Sequence, residues 1–187
     1  MATANAASPT VIVLASGRGE RFIAAGGTGS KLQAPLAGRP MLQHTLDAVR
    51  ASGLPWHLED AGHPGMGDSI AAAVRATPDA AGWLILPGDL PLVLPGTLRR
   101  VAGALTNGVR AVQPHYRGER GHPVGFAASC RAQLAALEGA SGAASVLKAM
   151  RALDAVAEVE VDDPGIVTDV DTPEALARAE ALWRQRT

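Results

Sequence analysis

Cysteine, aromatic residues and blocks of like charge are all scarce in this 187-residue chain, and each scarcity closes off a class of function. The single Cys130 cannot form an intramolecular disulfide, and such low cysteine usage is what a reducing compartment allows. Three Trp, two Phe and one Tyr leave little for a stacking platform that would hold single-stranded nucleic acid. The 17 Lys and Arg face 18 Asp and Glu without any basic run, so the footprint of a polyanion binder is missing. Met1 to Pro9 carries no basic residue, and the apolar run Val11 to Ala15 is too short for a signal segment or a membrane span. The expectation is a cytoplasmic protein that binds neither nucleic acid nor membrane. Its length and 47% hydrophobic content predict one domain over 1–187, flexible over 1–9, with a core that needs no staple.

What is plentiful is small. About a fifth of the chain is alanine, and 21 Gly with 13 Pro supply frequent breaks, a pattern that favours Ala-rich helices packed closely on a sheet. Thr10–Ala15 and Trp83–Pro87 read as strands buried on both faces; Ala111–Pro114, Val124–Ala127, Val156–Asp162 and a brief Pro55–Glu59 are further strand candidates. Helical spacing appears at Arg39–Arg50, with Pro40 at its first position, and at Asp68–Arg75, Pro95–Leu105, Arg131–Leu137 and Ala144–Leu153. Thr172-Pro173-Glu174 opens a last helix, with Thr172 as N-cap and Leu176, Ala179, Leu182 and Trp183 along one face. Strand and helix alternate, which predicts a three-layer α/β/α fold around a mostly parallel sheet. In such sheets, ligands bind beyond the carboxyl ends of the strands, so residues just after strands carry the chemistry.

Four of those places stand out. After the first strand, Gly17 and Gly19 let backbone N–H groups approach an anion, while Arg18, Arg21 and Lys31 supply cations: either a triphosphate cradle or a mobile loop of solvated charges. It is not a dinucleotide fingerprint, because Phe22 stands where the third Gly belongs. Nor is it a Walker A loop, because Ser30 and Leu32 flank Lys31. Asp89 follows the strand-breaking Pro87-Gly88, which delivers a carboxylate suited to magnesium or merely to an ordinary turn. Asp169 and Asp171 alternate about Val170, so in extended chain they share a side and repel unless a cation sits between them, or else Asp171 and Thr172 merely favour the amino end of the last helix. Gly65-Met66-Gly67-Asp68-Ser69 opens a helix whose free N–H groups suit a base edge or a phosphate, or else it is a plain start capped by Asp68. A fifth segment, Arg117 to Pro123, offers Arg117, Arg120 and His122 to an anionic acceptor, or forms a solvated hairpin. His44, His57 and His63 have no ligand-like spacing and read as surface or helix-face residues, and Cys130 as a small hydrophobe.

In this order the segments Leu14–Phe22, Lys31-Leu32 with Pro35–Pro40, Gly65–Ser69, Pro87–Asp89, Gly121–Val124 and Asp169–Pro173 resemble the MobA-like nucleotidyltransferases, most closely the cytidylyltransferase branch that acts on molybdopterin. The resemblance implies a Rossmann-like domain of the glycosyltransferase-A type and a magnesium-dependent transfer of CMP from CTP to a phosphate acceptor such as molybdopterin. Guanylyl transfer, a sugar or polyol phosphate acceptor, and a non-catalytic nucleotide- or pterin-binding protein are the rival readings. By carry-over, Leu14, Ala15, Ser16, Gly17, Arg18, Gly19, Lys31, Gly65, Met66, Gly67, Ser69 and Gly88 would bind nucleotide. Lys31, Arg21 and Asp89 would act on the triphosphate; Asp89 with Asp169 or Asp171 would hold Mg2+; Arg117, Arg120, His122 and Pro123 would meet the acceptor. A molybdoenzyme or its chaperone is the implied partner. The chain departs from the pattern by a longer stretch between Arg21 and Lys31, by Ser16, where the cytidine and guanosine branches carry Ala and Gly, and by Ser141, which replaces the acid of the related Gly-Asp-x-Gly-Ala pattern at 138–143 and bears on acceptor recognition. Only one short strand fits between the first long helix and Gly65, which predicts that the missing strand and helix belong to a sheet edge.

Overall fold

The computed structural model describes residues 8–17, 19–106 and 108–186. Its elements run β1 (Thr10–Leu14), α1 (Glu20–Ala24), β2 (Pro35–Leu36), β3 (Arg39–Pro40), α2 (Met41–Ser52), β4 (Trp56–Glu59), α3 (Met66–Ala76) and β5 (Gly82–Pro87). Then follow α4 (Pro95–Ala104), β6 (Ala111–Tyr116), β7 (Glu119–Arg120), β8 (Val124–Ala127), α5 (Arg131–Ala135), α6 (Ala144–Ala152), β9 (Val156–Glu160) and α7 (Pro173–Arg186).

Seven of the strands make one sheet in the order β4-β1-β5-β8-β6-β7, with β9 on the other edge of β6. The β1–β4, β1–β5 and β6–β9 pairs are parallel, whereas β8 runs antiparallel to both β5 and β6. Two reversals restore direction, so β4, β1, β5, β6 and β9 all point their carboxyl ends to one side. The chain leaves β1 for β4 on one flank and returns to β5 on the other, which makes the β1/β5 boundary the switch point where a crevice opens. There Leu14 pairs with Pro87. β4 is an edge strand, which is where the shortened connection was expected to lie.

Side chains alternate across the sheet, and each face has its own core. Val11, Val13, Leu84 and Leu86 pack with Met41, Leu46 and Val49 of α2, Leu98 and Val101 of α4, and Ala179 of α7. Ile12, Leu14, Trp83 and Ile85 pack with Ile70 and Val74 of α3, Leu134 of α5, and Val146 and Met150 of α6. This is the expected three-layer α/β/α arrangement around a mostly parallel sheet. No helix among the described residues is long and apolar enough to cross a membrane.

Local details depart from the sequence reading in three places. Pro40 does not open a helix: Ala37 (φ 48°) and Gly38 (φ 79°) form a tight turn that pairs β2 with β3, and α2 begins at Met41. The stretch after Gly19 is not all loop; it contains α1, and the Phe22 that spoils the dinucleotide pattern is its buried anchor, 4% exposed. Its ring sits where a Cβ on Gly27 would fall, 2.3 Å away, so only glycine lets the segment fold back over it. His44 is buried rather than on the surface; it faces inward from α2, bonded to the Leu36 carbonyl at 2.8 Å and packed edge-on to Trp183. α7 starts as expected, with Thr172 Oγ1 accepting from the Ala175 N–H at 3.1 Å.

A buried carboxylate not foreseen from sequence organises the opposite flank. Asp163, 1% exposed, accepts from the Leu94 N–H (2.9 Å), Thr97 Oγ1 (2.7 Å) and the Gly165 N–H (2.9 Å), and so fills the amino end of α4.

Candidate active site

The crevice beyond β1 and β5 is a cleft of about 490 Å3. Three chain segments far apart in sequence meet on its floor. Lys31 Nζ donates to Asp89 Oδ2 at 2.6 Å and to Asp171 Oδ1 at 2.5 Å, so the two carboxylates approach within the span of a single ammonium. Arg21, 84% exposed, reaches Asp171 Oδ2 at 3.1 Å.

Local structure explains the convergence. The Gly88 N–H bonds to the Leu14 carbonyl at 2.9 Å, and a Cβ on Gly88 would fall 2.9 Å from that same oxygen, so glycine is needed to draw the end of β5 against β1. Thr45 Oγ1 holds the Gly88 carbonyl at 2.9 Å. Asp89 is thereby aimed into the cleft, as the breaking of the ladder at Pro87 predicted. The Val170 N–H then donates to the Asp89 carbonyl at 3.1 Å, docking the late acidic segment beside it. Val170 is fully buried, which turns Asp171 inward. The ten-residue interval from Arg21 to Lys31 closes in space: a Cβ on Gly19 would sit 3.4 Å from both Cγ and N of Lys31.

Electrostatics lock this group in its charged form. Burial opposes the Lys31 ammonium, but the Asp89 and Asp171 carboxylates outweigh it and hold Lys31 above its ordinary 10.5. The Lys31 hydrogen bond, against the cost of burial and with help from Arg21, holds Asp171 below its ordinary 3.8. Among the described residues, Asp89 Oδ1 is buried without a hydrogen-bond partner. Hard carboxylate oxygens on Asp89 and Asp171, one of them orphaned, fit a magnesium or manganese ion. Such an ion usually takes one or two protein carboxylates and completes its shell with water and substrate phosphates. Among the described residues no group of three or more His, Cys, Asp or Glu side chains could cage a metal alone.

Of the expected nucleotide residues, Leu14, Ser16, Gly17, Gly19, Lys31, Gly65, Met66 and Ser69 line the cleft, together with Arg21, Asp89 and Asp171. Arg18 lies outside the described residues. Ala15, Gly67 and Gly88 are not among the lining residues. Gly67 does not offer a free N–H: it donates to the Gly139 carbonyl at 2.7 Å, and a Cβ there would fall 2.7 Å from the Glu138 carbonyl oxygen. Nor does Asp68 cap its own helix; it accepts from the Gly139 N–H at 2.9 Å, so the turn is tied to the segment at 138–140. Ser16 Oγ and Ser69 Oγ lie 2.7 Å apart, and Ser69 Oγ also donates to the Gly65 carbonyl at 3.1 Å. Asp169 is exposed and lies outside the cleft lining.

The four expected acceptor residues stand at the same edge of the sheet but do not line this cleft. Arg117 (φ 50°) and Gly118 make the tight turn between β6 and β7, with the Arg117 N–H on Glu160 Oε1 at 2.8 Å and its guanidinium 5.1 Å from the Tyr116 ring centre. Arg120 is exposed on β7, and Pro123 is buried after a cis His122–Pro123 bond. Burial holds His122 below its ordinary 6.5 despite the Ile85 carbonyl and the charges of Asp89 and Asp169.

Glu20, Phe22, Leu32, His63, Pro64, Pro87 and Ala140 also line the cleft, and sequence reasoning gave none of them a role there. His63 pairs with buried Glu59 at 3.2 Å, which also lies 3.5 Å from His57. The position of His63 just past β4 was the available signal. Ala140 comes from the 138–143 stretch, whose signal was its likeness to a family pattern with Ser141 in place of the acid.

The chain is 31% identical over 120 residues to the bifunctional protein GlmU of Xylella fastidiosa (strain 9a5c), an alignment over 51% of this chain and 25% of that protein. The chain thus spans about a quarter of the length of the curated relatives it matches. Rv0371c of Mycobacterium tuberculosis H37Rv superimposes with a TM-score of 0.75 at 25% identity, covering 95% of this chain and 99% of that one. The fold recurs in a CMP:2-keto-3-deoxy-manno-octonic acid synthetase complexed with CTP (TM-score 0.65, 15% identity, 96% and 100% covered). It recurs also in molybdopterin-guanine dinucleotide biosynthesis protein A from Archaeoglobus fulgidus (0.63, 19%, 94% and 99%). The family model for the MobA-like NTP transferase domain matches residues 11–55 and 47–158, and the chain belongs to that family.

Proposed function

We propose that this chain, acting as one unit over 1–187, is a magnesium-dependent nucleotidyltransferase that moves CMP from CTP onto the phosphate of a molybdopterin-type acceptor and releases pyrophosphate. The observation that carries the reading is the meeting of Lys31, Asp89 and Asp171 at one point beneath the glycine turn after β1. An acceptor phosphate monoester is already ionised near neutrality, its second pKa being about 6, so the chain needs no general base. An acceptor oxygen bonds to the α-phosphorus as the bond to the bridging oxygen breaks, and pyrophosphate takes the electron pair. The obstacle is repulsion between anions. Lys31 and Arg21 bind the triphosphate and neutralise charge that builds on the departing pyrophosphate. Asp89 and Asp171 would hold the divalent ion, which would supply further neutralisation of the phosphate charge. Gly17 and Gly19 admit the phosphates to the backbone, and Ser16, Gly65, Met66 and Ser69 face the base. Arg117 and Arg120 would steer the anionic acceptor, while His122, held neutral, contacts it by hydrogen bonding and not by charge.

Cytidine and molybdopterin rest on the resemblance of the sequence segments, and they are supported by fold neighbours whose names carry CTP and molybdopterin. The same reading places the protein in the cytoplasm, handing its product to a molybdoenzyme or its chaperone. Pyrophosphate release measured with each NTP, magnesium, and molybdopterin or sugar phosphates tests it. Release with CTP and molybdopterin is expected. Release only with GTP, or only with a sugar phosphate, replaces the substrates; nucleotide binding with no release in any mixture replaces the enzyme by a binding protein.

A further inference from the structure

The cleft carries a cation of its own at the point where the metal reading needs one. Lys31 Nζ sits on Asp89 Oδ2 and Asp171 Oδ1 at 2.6 and 2.5 Å, its side chain only 13% exposed, and Arg21 takes the remaining oxygen of Asp171. Within these ion pairs among the described residues, two carboxylates thus face two cationic side chains. Adding a divalent ion with Lys31 in place would set four positive charges against two negative ones at short range. A nucleoside triphosphate reverses that balance, because its phosphates accept both the ammonium and the metal. The lysine stem is long and flexible enough to move Nζ from carboxylate to phosphate by rotamer change alone.

We propose that Lys31 is a place-holding cation: it occupies the position of the divalent ion between Asp89 and Asp171 until triphosphate draws it away, so that metal and nucleotide enter together. This rests on the assignment of Asp89 and Asp171 as metal carboxylates. Lys31 then has two successive partners, and its place in the nucleotide-free protein keeps the metal site closed.

The test is Mn2+ binding to the full chain without nucleotide, which is left out because triphosphate chelates Mn2+ itself. Free Mn2+ is read by electron paramagnetic resonance for the parent, K31M, K31Q and D89N proteins. K31M and K31Q are expected to bind at least about tenfold tighter than the parent, since each removes a close like charge from the ion. Mn2+ should also raise their unfolding midpoints more than the parent's. If both lysine variants bind no tighter than the parent while D89N weakens binding, the place-holding role is wrong and the metal site stands. If no variant, D89N included, alters Mn2+ binding, both fall. The chain has two lysines, Lys31 and Lys148, so the 13C-ε resonance of Lys31 is assignable by its loss in K31M. That resonance should move with magnesium plus a non-hydrolysable CTP analogue; movement with magnesium alone would overturn joint entry.

Discussion

Replacing Asp89 by Asn separates the cost to folding from the cost to chemistry. In the parent, Lys31 has two carboxylate partners, at 2.6 and 2.5 Å; in D89N it keeps the second, so no buried ammonium is abandoned. What is lost is one charge-assisted hydrogen bond, about 1.5 to 3 kcal/mol, at the lower end here because Asp89 is 17% and Lys31 13% exposed. For a chain of this length each kcal/mol lowers the unfolding midpoint by about 2–4 °C, so a fall of roughly 3–6 °C is expected. The chemical cost is larger. Asn cannot offer an anionic oxygen to the metal, and losing one preorganised electrostatic contributor typically slows turnover by about 10²–10³. Circular dichroism melts and pyrophosphate release at saturating CTP, magnesium and acceptor read the two quantities on one preparation. Turnover within about fivefold of the parent, whatever the melt, would refute the role given to Asp89.

Other variants probe separate links. R21A should leave the melting midpoint nearly unmoved, because an ion pair whose arginine is 84% exposed is worth about 0–1 kcal/mol, yet it should raise KM for the nucleotide by roughly tenfold. The folded protein resists protonation of His122, whereas the unfolded chain takes the proton at the ordinary 6.5, so stability falls as pH drops below that value. Urea unfolding at pH 7.5 and 5.5 should show a smaller loss in H122Q than in the parent. Asp171 does not confound this window, since its depressed pKa delays any loss of its bridge until pH falls below 3.8. D163A should cost about 3 kcal/mol or more by urea unfolding, because it strands the donors of Leu94, Thr97 and Gly165 at about 1–3 kcal/mol for each one left unsatisfied, while KM for nucleotide stays at the parent value.

The sequence by itself determined the layers and the strand ends. Continuous apolar runs in Thr10–Leu14 and Gly82–Pro87 need cover on both faces, and a Pro-Gly pair must stop a ladder, so Asp89 was bound to appear at a carboxyl end. Periodicity and backbone chemistry are local, and they can be read along the chain. Tertiary structure alone decided which charges meet. Asp169 and Asp171 look equivalent in sequence; burying Val170 and bonding its N–H to Asp89 turns Asp171 toward Lys31 and leaves Asp169 exposed. The same holds for Gly67, whose expected free N–H is taken by Gly139, and for Ala140 in the cleft wall. A side chain's partners depend on how distant segments pack, and packing is a property of the whole core that no spacing along the chain encodes.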